Sequence, residues 1–206
     1  MNKLSHIVID DFYENPYDIR DFALKLNYNS CHLPRFHSKS FSNVLQYNKI
    51  QNILYPFAGK IKNFYIENTI DENDPELFYG DSYNGSFQFS IGSKIPWIHM
   101  DNSSFNYNNE IILTNSWAGI VYLNPNPPNN TGTNLYKLKD TYKHDSFIHK
   151  YDRHDLNKWD IIDTIGNKFN RLILYRSNTY HSADSYFGTN INDARLIQLF
   201  FFSSEY

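Results

Sequence analysis

The sequence predicts a mainly β protein, an antiparallel sandwich or barrel with helices packed on one face. Three observations lead there. The hydrophobic period is close to 3.6 residues in the early part of the chain and becomes two from residue 84 onward. The 17 Tyr and 16 Phe suit pleated, half-buried surfaces better than helix faces. The strands follow the helices as a run instead of alternating with them, which argues against a parallel βαβ sheet.

The elements follow in order. "HIVIDDFY" (6–13) alternates enough for a short strand. In "ENPYDIRDFALKLNY", Asn15 can cap a helix and Pro16 fits its first position. Ile19, Phe22, Ala23 and Leu26 then fall at i, i+3, i+4 and i+7. A second helix is expected over about 43–61, where Val44, Ile50, Ile53, Leu54 and Phe57 recur on one side. Each helix carries a single apolar stripe, so each must cover a sheet. In "GSFQFSIG", Phe87, Phe89 and Ile91 alternate with small or polar residues, and "WIHMD" follows Pro96. "WAGIVYLNP" (117–125) is a continuous apolar strand ended by the turn "NPNPPNN". "GTNLYKL" (132–138), "RLILYRS" (171–177) and "RLIQLFFFSS" (195–204) are further strands. The stretch 140–160 is charged and weakly periodic, and reads as an insertion or a partly helical excursion. With no repeat and no linker, residues 1–206 form one domain, a helical support region over 1–83 and a β core over 84–206.

Composition excludes several classes. A hydrophobic content of 41% is far too high for a disordered chain. A net charge of −3 gives no bulk attraction to nucleic acid or anionic lipid. The opening residues hold no long apolar run or small-residue cleavage site, and no stretch approaches a membrane span. Cys31 is alone, so no disulfide framework is expected and the reducing cytoplasm is the default, the host's cytoplasm for a phage- or virus-encoded chain. Cys31 in "NSCHLP" reads as loop filler, not as a nucleophile. Ser182 after His181 lacks the glycine-framed elbow of a serine hydrolase. There is no phosphate-cradling glycine loop.

"WIHMDNS" (97–103) carries the chemistry. In a strand, residues two apart share a face, so the His99 imidazole and the Asp101 carboxylate converge as two metal ligands do. His144, His149 and His154 recur every five residues, which matches neither a helix face nor a strand face, and they read as solvated surface. His181 instead follows the strand "RLILYRS" through "NTY". Two His and one carboxylate on one face of a metal leave positions open, the arrangement of non-haem Fe(II) oxygenases. Oxygen activation also needs electrons, which a keto-acid can supply, and its far carboxylate would need a buried cation. Arg suits that task because its fork is bidentate. Arg195 opens the apolar run "RLIQLFFF", where a cation has to be paired. The plain alternative is a structural ion pair with Asp193 or Asp184. Arg171 and Arg176 read as solvated strand ends, and Trp97 and Trp117 as core or pocket wall.

"WIHMDNS", "GIVYLNP", "GTNLYKL", "RLILYRSNTYHSA" and "RLIQLFFF" together resemble the core of the 2-oxoglutarate/Fe(II)-dependent dioxygenases. The pattern is nearest to the prolyl-hydroxylase-like members, small bacterial and phage proteins among them, and spans roughly residues 84–204. The resemblance implies a double-stranded β-helix, a jelly-roll or cupin-like barrel, for the β core. It implies that His99, Asp101 and His181 bind Fe(II) and that Arg195 pairs with the C5 carboxylate of 2-oxoglutarate. It implies further that Tyr122 hydrogen-bonds the same carboxylate and that Leu135 forms an apolar wall of the cosubstrate pocket. Gly188 and Asn190 are then expected to turn the hairpin between His181 and Arg195. Since Asp101 is present, hydroxylation is favoured over halogenation, with O2 consumed and succinate and CO2 released. A peptide, an amino acid or a small molecule is the implied substrate, contacted by residues 64–83, 102–110 and 140–160. The alternative is a catalytically inactive β-sandwich serving as a metal-binding or interaction module. Arg195 separates the two readings, because a module needs no buried cation beside the three ligands.

Overall fold

The structure, a computed structural model, describes residues 4–32, 34–66, 83–92, 97–101, 104–107, 110–113, 116–139 and 152–206. In chain order the elements begin with β1 (His6–Ile9), α1 (Pro16–Leu24), β2 (Asn29–His32), β3 (Arg35–His37), α2 (Val44–Ala58), β4 (Ile61–Lys62) and β5 (Phe87–Ser90). β6 (Ser104–Tyr107), β7 (Glu110–Leu113), β8 (Trp117–Tyr122) and β9 (Thr133–Leu138) follow. The chain ends with β10 (Trp159–Ile165), β11 (Leu172–Arg176), β12 (Tyr180–Ala183) and β13 (Arg195–Ser204).

An eight-stranded sheet runs in the order β1-β11-β8-β13-β5-β3-β2, with β4 paired to the far end of β13. A smaller sheet runs β10-β9-β12. The segment around residue 99 extends it, since His99 forms an antiparallel bridge with His181. Every pairing between these strands is antiparallel.

Period-two alternation divides the large sheet into two faces. Trp117, Val121, Leu172, Leu174, Leu196, Phe200 and Phe202 point one way and pack with Ala23 of α1 and Ile50, Leu54 and Ala58 of α2. Ala118, Ile120, Tyr122, Ile173, Tyr175, Ile197 and Leu199 point the other way, toward Leu135 and Ile165 of the small sheet. β13 is therefore covered on both sides, which explains its unbroken apolar sequence. The expected helices lie over one face of the expected antiparallel sheet.

Several local expectations are corrected. The first strand ends at Ile9, because Asp11 takes a left-handed backbone conformation, φ 58°, and turns the chain. Asn15 precedes α1 without a capping side-chain hydrogen bond, and Leu26 lies past the helix end. The buried residues of α2 are Gln46, Ile50, Leu54 and Ala58, a strict i+4 row, while Val44 and Phe57 are exposed. A reciprocal pair of hydrogen bonds between Asn43 and Gln46 fixes the helix start. Cys31, read as loop filler, lies in β2, and β3 follows it without an expected counterpart. Part of the expected 102–110 loop is strand, with β6 antiparallel to β7. The excursion ends in two 3-10 turns, Asp152–His154 and Leu156–Lys158, and runs into β10. Residues 67–82 and 140–151 of the expected substrate-contacting segments, and with them His144 and His149, lie outside the described residues.

The link between β12 and β13 positions the start of the last strand. Asp193 accepts hydrogen bonds from the backbone N–H of Thr189 and Asn190, at 2.9 and 2.8 Å. Gly188 has φ +79°, and a Cβ there would lie 2.4 Å from the Asp193 carbonyl oxygen. Gly188→Ala is expected to destabilise the protein by about 2–4 kcal/mol, from the left-handed backbone and the overlap together. Urea denaturation reads this directly, and a loss below about 1 kcal/mol would show that the turn relaxes at little cost.

Candidate metal centre

Backbone pairing builds the centre. His99 N–H donates to His181 O at 3.0 Å, and His181 N–H donates to His99 O at 2.9 Å. Two residues on, Asp101 N–H donates to Ser177 O at 2.9 Å. Residues directly opposite in such a pair share a face, so both imidazoles and the carboxylate emerge on one side. One ligand atom from each of His99, Asp101 and His181 can be chosen so that all lie within 4.8 Å of one another. Asp101 Oδ2 is 3.1 Å from His181 Nε2, and Asp101 Oδ1 is 3.5 Å from His99 Nε2. Two donors each about 2.1 Å from a shared ion and at right angles to it lie about 3.0 Å apart, so these separations suit adjacent positions on one metal.

The outer atoms of the ligands are held as well. His99 Nδ1 lies 2.9 Å from Trp97 O, and His181 Nδ1 lies 3.0 Å from Thr179 O, each carbonyl two residues back along its own strand. An Nδ1–H donated to a carbonyl leaves Nε2 with its lone pair facing the centre. Tyr175 donates its hydroxyl to Asp101 Oδ2 at 3.2 Å. Trp97 stacks on His99 with ring centres 4.9 Å apart and planes 9° apart. The donor set is chemically suited to a divalent transition metal with open positions.

Burial and charge set the protonation of the three groups. Burial, and then the positive charge of His181, push the His99 pKa down to about 4. Burial opposes charge on His181 too, but the Asp101 carboxylate outweighs it and the pKa lies above the ordinary value. For Asp101, burial raises the pKa, yet the charge and hydrogen bond of His181 bring it below the usual carboxylate range. Without a metal, burial favours the neutral form of His99, while the Asp101 carboxylate favours the protonated form of His181.

The three residues open onto a cavity of about 140 Å³, which Arg195 and Thr133 also line. Arg195 is 3% exposed, and its hydrogen bonds go to Thr131 O at 3.1 Å, Gly132 O at 3.4 Å and Thr133 Oγ1 at 3.5 Å. The suggested ionic partners are engaged elsewhere: Asp193 within its own turn, and Asp184 with the Asn134 amide at 3.0 Å. Tyr122 and Leu135 are fully buried and are not among the residues lining the cavity. The Tyr122 hydroxyl is bonded to Thr133 Oγ1 at 2.7 Å, and the Arg195 guanidinium lies 5.4 Å from its ring centre. Leu135 is the β9 partner of His181 and packs between the sheets. Arg171 pairs with Asp10 at 2.7 Å, and Arg176 lies over Trp117 at 4.0 Å.

Sequence reasoning missed Thr133, Tyr175, Arg35, His37 and Gln88 as cavity residues. The alternation in "RFH" was the available signal for Arg35 and His37, but three residues after Pro34 are too short a run to show it.

The fold is that of the 2-oxoglutarate/Fe(II) oxygenases, a double-stranded β-helix with a large and a small sheet around the cavity. The non-heme alpha-ketoglutarate-dependent epimerase SnoN from nogalamycin biosynthesis matches with a TM-score of 0.58 and 8% identity, over 95% of this chain and 74% of that one. HygX from Streptomyces hygroscopicus, solved with nickel, 2-oxoglutarate and hygromycin B bound, matches with a TM-score of 0.53 and 8% identity, over 98% of this chain and 84% of that one. The alpha-ketoglutarate-dependent carbocyclase SnoK, also from nogalamycin biosynthesis, gives 0.53 and 10% identity, over 98% and 81%. At such identities the likeness is one of fold. A family of unknown function, DUF6445, matches residues 128–195, a stretch that contains His181 and ends on Arg195. No curated protein matches the sequence.

Two outcomes are expected of the metal-free protein. Tyr175→Phe should weaken Mn(II) binding by about 10- to 100-fold while the fold is kept, because the carboxylate loses its orienting donor; calorimetry measures it. A cation must also displace the proton that Asp101 holds on His181. Mn(II) affinity should therefore rise with pH through the raised His181 pKa, with protons released into a weak buffer as the ion binds below that pKa.

Proposed function

We propose that the protein is an Fe(II)- and 2-oxoglutarate-dependent oxygenase that hydroxylates a C–H bond of a small molecule, an amino acid or a peptide. The observation that carries this reading is a buried cation, Arg195, with no carboxylate among its hydrogen-bond partners in the described residues, in one cavity with a His–Asp–His set. A buried guanidinium needs an anion, and a keto-diacid has one to spare after chelating a metal. The fold supports the reading, as does HygX, which was solved with 2-oxoglutarate and a small molecule, hygromycin B.

In this reading His99, Asp101 and His181 hold the metal on one face, and their carbonyl and hydroxyl partners keep the donor atoms aimed inward. Arg195 receives the C5 carboxylate of 2-oxoglutarate, and Thr133 offers a hydroxyl beside it. Tyr122 acts through Thr133 as a positioning residue, and Leu135 backs the strand that carries His181. When bound, Fe(II) supplies the open positions and the redox chemistry that couple oxidative decarboxylation of 2-oxoglutarate to substrate oxidation. The balance is C–H, O2 and 2-oxoglutarate in, with C–OH, succinate and CO2 out. The apolar inner face of the large sheet limits water around the reacting groups.

Adding Fe(II) and then 2-oxoglutarate anaerobically should give a weak visible charge-transfer band, absent in His99→Ala. Arg195→Leu should bind 2-oxoglutarate at least about 30-fold more weakly, the lower end for removing a partner from a buried charge pair. It should retain Mn(II) affinity and its circular dichroism. A flat spectrum from folded, metal-loaded wild type would instead favour an inactive metal-binding or interaction module.

A further inference from the structure

We propose that Trp97 is a positioning residue for His99, that Arg153 holds Trp97 in place, and that the 3-10 turn Asp152–His154 is thereby part of the metal centre. The inference rests on the reading of His99 as a metal ligand and extends it to what aims that ligand.

Trp97 acts on His99 at two points. Its carbonyl oxygen lies 2.9 Å from His99 Nδ1, and its ring stacks on the imidazole with centres 4.9 Å apart and planes 9° apart. The hydrogen bond fixes one atom of the imidazole but leaves the ring free to tilt about the line from Nδ1 to the oxygen. A parallel stack fixes the plane. Together they set the direction of the Nε2 lone pair. His99 needs this more than His181 does. The His181 side chain is 7% exposed and lies against the Tyr175 ring, whereas the His99 side chain is 21% exposed and its segment meets β12 through a single bridge. Trp97 is not among the described residues that line the cavity, so its role is toward the ligand and not toward a bound molecule.

The 3-10 turn holds the indole. Ile98 N–H donates to Arg153 O at 3.1 Å, while the neighbouring His99 N–H goes to His181 O at 3.0 Å. The ligand-bearing segment is therefore tied to β12 on one side and to the turn on the other. The Arg153 guanidinium lies over the Trp97 ring, 5.0 Å from its centre, and Arg153 Nε is buried with no hydrogen-bond partner. Cation and ring thus place one another. Arg35 of β3 approaches the same ring centre at 5.6 Å. The column from Arg153 through Trp97 to His99 joins the end of the charged excursion to the metal centre.

The test uses the metal-free full chain, with Mn(II) titrated by calorimetry and Co(II) read by its visible ligand-field bands. Trp97→Phe, which keeps a flat ring, should bind Mn(II) within about threefold of wild type and leave the Co(II) bands in place. Trp97→Leu, which keeps an apolar side chain without a plane, should bind Mn(II) about 10- to 100-fold more weakly and shift the Co(II) bands, with its circular dichroism kept. Arg153→Met should weaken Mn(II) binding by about three- to tenfold in the wild-type background and by less than about twofold in the Trp97→Leu background, because Arg153 acts through the indole. Equal affinities of Trp97→Phe and Trp97→Leu, an unchanged affinity in Arg153→Met, or an Arg153→Met loss of the same size in both backgrounds would each overturn the proposal. Should Trp97→Leu fail to fold, an unchanged Mn(II) affinity in Arg153→Met overturns it without that variant. A wild type that binds neither Mn(II) nor Co(II) would end the metal reading and this proposal together. A wild type that binds both, with Trp97→Phe and Trp97→Leu alike, would end this proposal alone.

Discussion

The reciprocal backbone hydrogen bonds between His99 and His181 are the constraint on which the site depends. They join a segment that is otherwise irregular to the edge of the small sheet. A shift of one residue in that pairing would turn His99 and Asp101 to the opposite face and leave His181 alone. The same pairing lets each imidazole reach a carbonyl two residues back, so register, ring orientation and tautomer are set by one local arrangement. β11 adds Tyr175 from the large sheet, which makes the position of Asp101 a product of both sheets.

Among the described residues, the buried ionic groups of the cavity are answered unequally. Asp101 and His181 satisfy one another at 3.1 Å, and a metal would replace the proton between them. Among the described residues, Arg195 has carbonyls and a hydroxyl but no carboxylate as partners, a partial settlement for a group 3% exposed. β13 makes this possible because its two faces do different work. Leu196, Phe200 and Phe202 secure it to the helices, and the alternate positions Arg195, Ile197 and Leu199 face the cavity.

The parts of the fold that were legible in the sequence are those with several periods of pattern. β8, β11 and β13 announce themselves because both faces are buried, and the i, i+2 spacing of His99 and Asp101 is tied to a strand by geometry. The structure gathers both residues with His181 and Arg195 around one cavity. What was missed had too little pattern or too much tertiary influence. β2 and β3 span four and three residues, so alternation had no room to appear. β10 lies at a sheet edge with its five central residues exposed, so Asp160 and Asp163 interrupt any apolar rhythm. In α2 the apolar Val44 and Phe57 are outside, while the polar Gln46 is inside, bonded to Asn43 and Tyr13. Tyr175 and Thr133 were illegible for another reason: a hydroxyl aimed at a ligand looks in sequence like any other residue of an apolar strand.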